Sequence, residues 1–355
     1  MPGTIGPKKT WEVSFAGMEG LLTSLLNSGV TVYAPVERKD RLGRYLFARL
    51  SHPARMAWNY TTTSLPPKKL FAPPEETLFT FETGKGEPLV KEVCPTEPFV
   101  LFGVHPCDLA ALDRLDAFYA DSPAEYRWQA QRSRATVVGL DCTPDEHCFC
   151  VDMGTMETRH PADLFLTPLE QGWLVQTYTD KGEEFLNNTP RERARESAIE
   201  EAAKRTGEKR KKAAGRLKGS VEQIAAALSR SDEEFWEKYS AACFSCGSCN
   251  LVCPTCHCFC MEDRLDVSLS SGSRIRKWDS CQLAGFAKVA GGGDFRPSAS
   301  SRMRHRWKHK FVYLPRRFGT AFCVGCGRCT RSCPGGVDMV SVANKLLETF
   351  GERVE

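Results

Sequence analysis

The hydrophobic positions in the first half of the chain follow first a helical and then a strand-like period. Residues 14–27 carry apolar side chains at helical spacing and end before Gly29, which predicts an amphipathic helix. Alternating or continuous apolar runs predict strands over residues 31–36, 44–50, 98–104, 135–140 and 173–178. This mixture predicts an α+β or α/β domain over residues 1–190.

The pattern changes after Pro190. Residues 191–218 alternate Glu with Lys and Arg, often four positions apart, which predicts an exposed helix. We interpret residues 191–230 as a solvated helical connector; the alternative is a helix that docks a partner subunit. Ser231 has the chemistry of an N-cap for a following helix, and residues 337–350 have helical periodicity. Residues 231–355 are therefore predicted to form a second, largely helical domain.

Two cysteine runs dominate that second domain. Residues 243–254 and 323–334 both read C-x2-C-x2-C-x3-C-P, the bacterial ferredoxin pattern for 4Fe–4S clusters. In two-cluster ferredoxins the fourth cysteine of each run binds the other cluster. The first-cluster cysteines are then Cys243, Cys246, Cys249 and Cys333. The second-cluster cysteines are Cys323, Cys326, Cys329 and Cys253. Structural zinc sites are the less favoured alternative, because C-x2-C also opens zinc modules.

Composition supports metal binding over disulfides. The 355 residues include 17 cysteines, and the N-terminus lacks the apolar stretch of a secretory signal. No apolar run is long enough to span a bilayer, so we expect a cytoplasmic protein without direct membrane insertion. The formal charge of +4 gives no reason to expect a nucleic-acid partner.

Four further cysteines follow the two most apolar predicted strands. Cys107 comes just after residues 98–104, and Cys142, Cys148 and Cys150 come after residues 135–140. If these strands are parallel neighbours, the four strand-edge cysteines converge at the edge of the sheet where ligands bind in α/β proteins. They are candidates for a third 4Fe–4S cluster. The alternatives are packing as small buried hydrophobes, a flavin in the same pocket, or metal ligation aided by His105 or His147.

A long insertion, residues 255–322, separates the two cysteine runs. Its Cys256, Cys258 and Cys281 either bind a further metal or line the wall of the second cluster, and we favour the wall. The basic segment, residues 302–310, is expected to offset the negative charge of the clusters rather than to bind nucleic acid. Cys94 has no predicted role.

Motifs of catalysis are lacking in the sequence. It contains no G-x-G-x-x-G after a strand and no P-loop, and no Ser/His/Asp or paired-carboxylate constellation stands out. The chain therefore reads as an electron carrier within a complex rather than as a catalyst alone.

Several motifs, taken in order, resemble one family over residues 15–350. They are residues 104–112 (VHPCDLAAL), residues 148–150 (CFC), residues 253–259 (CPTCHCF), residues 278–281 (WDSC) and the C-x2-C at residues 323–326. The chain resembles the iron–sulfur subunit of anaerobic sulfite reductase and the beta subunit of cytoplasmic sulfhydrogenases. Cys260 departs from the family pattern, which has an acidic residue there, and we assign it no role.

The resemblance implies a non-catalytic relay subunit of an oxidoreductase. It would pass electrons between a flavoprotein subunit that handles nicotinamide cofactors and a separate catalytic subunit. The alternative is a subunit whose strand-edge cysteine pocket binds and reduces a flavin or deazaflavin directly.

Overall fold

The computed structural model describes residues 6–38, 40–83 and 87–351, which form a mixed sheet, a smaller antiparallel sheet and a helical region. The strands are β1 Lys9–Val13, β2 Thr31–Arg38, β3 Arg41–Arg49, β4 Glu75–Glu82, β5 Leu89–Glu92, β6 Phe99–Val104, β7 Ala135–Leu140, β8 Leu164–Leu169, β9 Gly172–Thr177, β10 Glu192–Arg193, β11 Phe259–Leu265 and β12 Ser271–Trp278. The helices are α1 Phe15–Asn27, α2 Pro106–Ala120, α3 Tyr126–Arg134, α4 Asp180–Phe185, α5 Glu196–Ala213, α6 Val221–Arg230, α7 Glu233–Ser240, α8 Ser248–Leu251, α9 Ala299–Lys308, α10 Leu314–Phe318, α11 Arg328–Arg331 and α12 Met339–Phe350.

The larger sheet has the strand order β10-β1-β9-β8-β7-β6-β2-β3. Its centre is parallel, since β2 pairs with β6, β6 with β7 and β7 with β8 in that sense, while the flanking pairs are antiparallel. Every residue of β6 is buried, as the continuous apolar run predicts. The five predicted strands and the helix α1 are confirmed, and α1 begins where the Ser14 hydroxyl accepts a hydrogen bond from the amide of Gly17 at 3.0 Å.

The segment interpreted as a solvated connector packs against its neighbours. Ala198 and Ala202 of α5 are buried against Leu169 and Leu174 of the larger sheet. The helix is exposed over most of its length, as predicted, and these small side chains let one face of it lie close to the larger sheet. The next helix, α6, buries an apolar face in the helical region. Asp232, rather than Ser231, is the N-cap of α7.

The helical region surrounds the two cysteine runs. Its core contains the fully buried Trp236 of α7 and the nearly buried Trp307 of α9, with α6 and α12 packed around them. A π-helical turn, His309–Tyr313, continues α9 toward the second run. Within the described ranges, we find no helix long and apolar enough to cross a membrane.

The insertion contributes to the N-terminal half of the fold. Its hairpin β11–β12 pairs with β4, which pairs in turn with β5, to form a four-stranded antiparallel sheet. The expected mixture of helices and strands and the helical surroundings of the cysteine runs are confirmed. The hairpin shows that the predicted second domain also contains β-structure that pairs outside it.

Candidate iron–sulfur centres

The second-cluster cysteines line one cavity. A small cavity lies between Cys323, Cys326 and Cys329 of the second run and Cys253 of the first. Cys253, Cys323 and Cys326 are buried. Burial, and then the charge of Cys329, raises the pKa of Cys323 to about 11. A group that binds all four thiolates and carries positive iron would relieve this cost, so the donor set fits the predicted cluster.

A buried cation faces this cavity. Lys310 Nζ donates hydrogen bonds to Cys253 Sγ at 3.3 Å and to Thr255 Oγ1 at 2.9 Å. Burial opposes the charge of Lys310, but the thiolates of Cys253 and Cys256 outweigh that cost and raise its pKa above the ordinary value. Lys310 therefore stays protonated beside the sulfur ligands.

The charged face of the basic segment points inward. Arg302, Arg306 and Lys310 recur every four residues along α9 and the π-helical turn, and all three are buried. Arg302 donates a hydrogen bond of 3.1 Å to the Ser245 hydroxyl in the first run, and Arg306 donates one of 2.8 Å to Asn250 Oδ1. These cations contact the cysteine runs, which agrees with the predicted offset of cluster charge.

The first-cluster cysteines come together through a close backbone approach. A Cβ atom at Gly335 would overlap the carbonyl oxygen of Ala242, so only glycine lets the chain after Cys333 lie against the start of the first run. Burial raises the pKa of Cys249 to about 11, and Cys243 adds to the effect. Cys246 is exposed, so this set reaches the protein surface.

The structure brings the strand-edge cysteines together. β6 and β7 are parallel neighbours, as the prediction required. Cys107, at the start of α2, packs against Cys148 and Cys150, and the pKa of Cys142 is raised by burial and by the charges of Asp141, Cys150 and Cys148. Their role as cluster ligands stays a prediction.

The strand-edge cysteines also contact the second run. The amide of Phe149 donates a hydrogen bond of 2.8 Å to the carbonyl of Gly325. A Cβ at Gly325 would lie 2.5 Å from the amide nitrogen of Cys150, and Cys107 packs beside Cys326. Sequence reasoning missed this contact, since main-chain contacts between distant segments leave no residue pattern.

The remaining cysteines have different surroundings. Cys256 lies beside Cys253, and the two thiols shift each other's pKa in opposite directions, which agrees with the favoured interpretation that Cys256 lines the wall of the second cluster. Cys258 pairs in the same way with Cys281. Cys260 is exposed on β11, and Cys94 is half-buried after β5. All of the cysteines lie in the described ranges, and each is free of disulfides there.

Asn250 is a residue that sequence reasoning missed. Its side chain lies between three cysteines: Nδ2 donates a hydrogen bond of 3.0 Å to Cys281 Sγ, and Oδ1 accepts hydrogen bonds from Cys256 at 3.5 Å and Cys249 at 3.9 Å. No signal distinguished this asparagine within the first run. Its position links the first-cluster cysteines to the cysteines of the insertion.

The predicted histidine ligands are placed differently. His105 is buried beside the strand-edge cysteines, whereas His147 is half-exposed and pairs with Glu146 at 3.5 Å. In the part of the chain that the structure describes, no three His, Cys, Asp or Glu side chains converge closely enough to hold one metal ion. Structural zinc stays the less favoured alternative; a zinc site would hold its cysteine ligands about 2.3 Å from a single centre. A cubane takes one thiolate at each of four iron corners.

Comparisons with known proteins agree with this arrangement. Residues 242–337 match the 4Fe-4S dicluster domain family, which covers both cysteine runs and the insertion between them. The chain is also 35% identical over 320 residues to sulfhydrogenase 2 subunit beta of Pyrococcus furiosus, an alignment that covers 89% of this chain and 92% of that protein.

Proposed function

Because the chain belongs to the family of sulfhydrogenase beta subunits, we propose that it relays electrons between a flavoprotein and a catalytic subunit. It is an iron–sulfur electron-transfer subunit of an oxidoreductase complex. The flavoprotein would exchange electrons with a nicotinamide cofactor. The catalytic partner would be of the hydrogenase or sulfite reductase type. A cytoplasmic location is part of the proposal.

The observation that carries the proposal is the cavity between the two runs. Three of its thiols come from the second run, and the fourth, Cys253, comes from the first. The ligand exchange of two-cluster ferredoxins requires this arrangement. We assign the first-cluster cysteines to one 4Fe–4S cluster and the second-cluster cysteines to another.

The clusters supply one-electron reduction and oxidation when they are bound. The chain holds the ligands and shields them from water, since most second-cluster cysteines are buried. Lys310 and Arg306 place positive charge beside the thiolates, which favours the more negative, reduced state. The exposed Cys246 puts the first-cluster set nearest the solvent, where a partner would exchange electrons.

Ligand substitution tests the assignment. Replacing Cys253 with Ser should remove the second cluster, although Cys253 lies in the first run, and replacing Cys333 with Ser should remove the first. In anaerobically purified protein, each change should lower the iron content by about four atoms per chain. EPR spectra of the reduced variants should keep the signal of the other cluster. Loss of the cluster whose run contains the substituted residue would contradict the exchanged assignment.

A second candidate function rests on a pocket beside the strand-edge cysteines. The pocket has a volume of about 530 Å³ and lies next to Asp141 and Lys209, with Trp58 and Trp173 in its wall. The two indole rings lie 4.9 Å apart. An aromatic wall of this kind suits a flat ring. This pocket is therefore the candidate binding site for a flavin or deazaflavin that the chain would reduce directly.

Flavin analysis separates the two candidates. The relay proposal predicts that the isolated chain binds no stoichiometric flavin and that flavin copurifies only with the intact complex. The second candidate would be favoured if the isolated chain is yellow and contains about one flavin per chain, and if replacing Trp173 with Ala removes that flavin. A Phe295→Ala variant, changed at an exposed aromatic position outside the pocket and the cysteine runs, serves as the control.

A further inference from the structure

We propose that the four strand-edge cysteines, Cys107, Cys142, Cys148 and Cys150, bind a third iron–sulfur cluster that exchanges electrons with the second. The inference rests on the proposed relay function and extends it to the N-terminal half of the chain.

The first support is the convergence of four thiols from separate segments. Cys107 opens α2 after β6, and Cys142 follows β7, so the parallel pairing of these strands brings both to one edge of the sheet. The loop with Cys148 and Cys150 folds back over them. Small hydrophobic packing does not require cysteine at all four positions, whereas a 4Fe–4S cluster requires four thiolates.

The second support is the charge balance around these thiols. Arg331 donates a hydrogen bond of 3.5 Å to Cys148 Sγ and pairs with Asp145. Arg328, which is buried, lies near Cys107. Guanidinium groups beside buried sulfur would offset the negative charge of a thiolate-bound cluster. Arg328 also pairs with Asp108, so each of the two cations is shared between a carboxylate and the nearby sulfur atoms.

The third support is an unpaired buried atom. His105 is 1% exposed, and its Nε2 has no hydrogen-bond partner among the residues that the structure describes. Its ring stacks on Tyr60 with 3.8 Å between centroids. Tyr60 lies close enough to Cys107 and Cys142 for their charges to act on it. The other ring nitrogen donates a hydrogen bond to the backbone of Thr61, so Nε2 is an acceptor that no donor satisfies. A buried polar nitrogen without a partner is costly, and it marks this place for a group bound beside the thiols.

The fourth support is the direct contact with the second cluster. Cys107 packs beside Cys326, and the backbone of Cys150 lies against Gly325. Adjacent ligand loops leave only a short path for an electron. In each step one electron would leave the second cluster, which is oxidised, and enter the third, which is reduced. No bond forms or breaks, and the flavoprotein or catalytic subunit of the complex supplies or takes up the electron.

The experiment measures iron, acid-labile sulfide and zinc in the full-length chain after anaerobic purification. We expect about twelve iron atoms per chain, four for each of three clusters. The double variant Cys142→Ser/Cys148→Ser should retain about eight, together with the EPR signals of the first and second clusters. Cys94→Ser, a half-buried cysteine outside all three sets, should retain about twelve and is the matched control.

The outcomes distinguish this inference from the relay proposal. About eight iron atoms in the unaltered chain, or zinc in place of the missing iron, would overturn the third cluster. A Cys329→Ser variant should still lose about four iron atoms in that case, which would leave the relay proposal intact. If Cys329→Ser loses no iron, the relay proposal itself fails. The iron count of the unaltered chain decides the question even if the double variant does not fold.

Discussion

The guanidinium of Arg328 and the carboxylate of Asp108 form a two-pronged ion pair, with both hydrogen bonds at 2.7 Å, in the interior of the protein. Arg328 follows Cys326 in the second run, and Asp108 follows Cys107 at the start of α2. Both side chains are buried, and Arg328 also donates hydrogen bonds to Thr63. The pair therefore fixes the second-cluster loop against the edge of the larger sheet.

Replacing Arg328 with Met should destabilise the protein by about 3–5 kcal/mol, because the Asp108 carboxylate is then buried without a partner. The double change Arg328→Met/Asp108→Leu should restore part of this loss, since no uncompensated charge remains. Anaerobic unfolding followed by circular dichroism measures both effects. The exposed pair Lys218–Glu348 is the control: Glu348→Gln should change the unfolding midpoint little. Equal effects of the buried and exposed changes would contradict the role given to Arg328.

Replacing Lys310 with Met should lower the reduction potential of the second cluster. The change removes a buried positive charge 3.3 Å from Cys253 Sγ, and so disfavours the more negative, reduced state. A shift of about 60 mV would correspond to a tenfold change in the one-electron equilibrium. Redox titration monitored by EPR measures it. Lys308→Met, two residues earlier and so on the opposite side of the helix, should leave the potential nearly unchanged. An unshifted potential in a Lys310 variant with full iron content would refute the prediction.

Replacing Gly335 with Ala should weaken binding of the first cluster. The new methyl group would overlap the Ala242 carbonyl, so the chain after Cys333 must move away from the first run. We expect a loss of up to about four iron atoms per chain. Gly336→Ala is the matched control, because no neighbouring atom lies within 4 Å of the new methyl group. Its φ of +66° strains alanine by about 1–2 kcal/mol, but this strain does not push the chain away from the first run. If both variants keep all of their iron, the close approach does not position Cys333.

Lowering the pH should destabilise the protein partly through His305 and His309. Burial is the main cause that lowers the pKa of each histidine to about 4. The charge of Arg296 also lowers the pKa of His305. Lys310, His305 and Arg296 lower the pKa of His309 further. In the unfolded chain these histidines have pKa values near 6.5. The unfolded state therefore binds more protons between these values, so stability falls as the pH drops from about 6.5 toward 4.

The double variant His305→Gln/His309→Gln should show a shallower decline of the unfolding midpoint over that range. An exposed histidine supplies the control: His52→Gln should leave the decline as steep as in the unaltered protein. A double variant with an unchanged slope would exclude these two side chains as the source.

Sequence reasoning predicted the parts of the fold that depend on local pattern. The buried strands β6 and β7 are recognisable in the sequence as continuous apolar runs. The cluster ligands are recognisable by their fixed spacing, because one loop must wrap one cubane. The convergence of Cys107 with Cys142 was predicted on the condition that the two strands are parallel neighbours, which β6 and β7 are.

The missed features depend on contacts between distant residues. The strand β11 is largely exposed, so it lacks the apolar alternation that marks a half-buried strand. Ala198 and Ala202 lie among many charged residues in the sequence, so the hydrophobic pattern gave no indication that one face of α5 is buried. The role of the basic segment in offsetting cluster charge stays a prediction. The helical geometry adds that Arg302, Arg306 and Lys310 share the face that contacts the cysteine runs.

The pairing of β12 with β4 also has a consequence for how the chain is made. The strands β4 and β5 leave the ribosome early, and a two-stranded hairpin is marginally stable in water. Their sheet is completed only when β12 has been synthesised, after the first cysteine run. The N-terminal half therefore cannot finish folding before the first cysteine run, which supplies ligands to both proposed clusters, has left the ribosome.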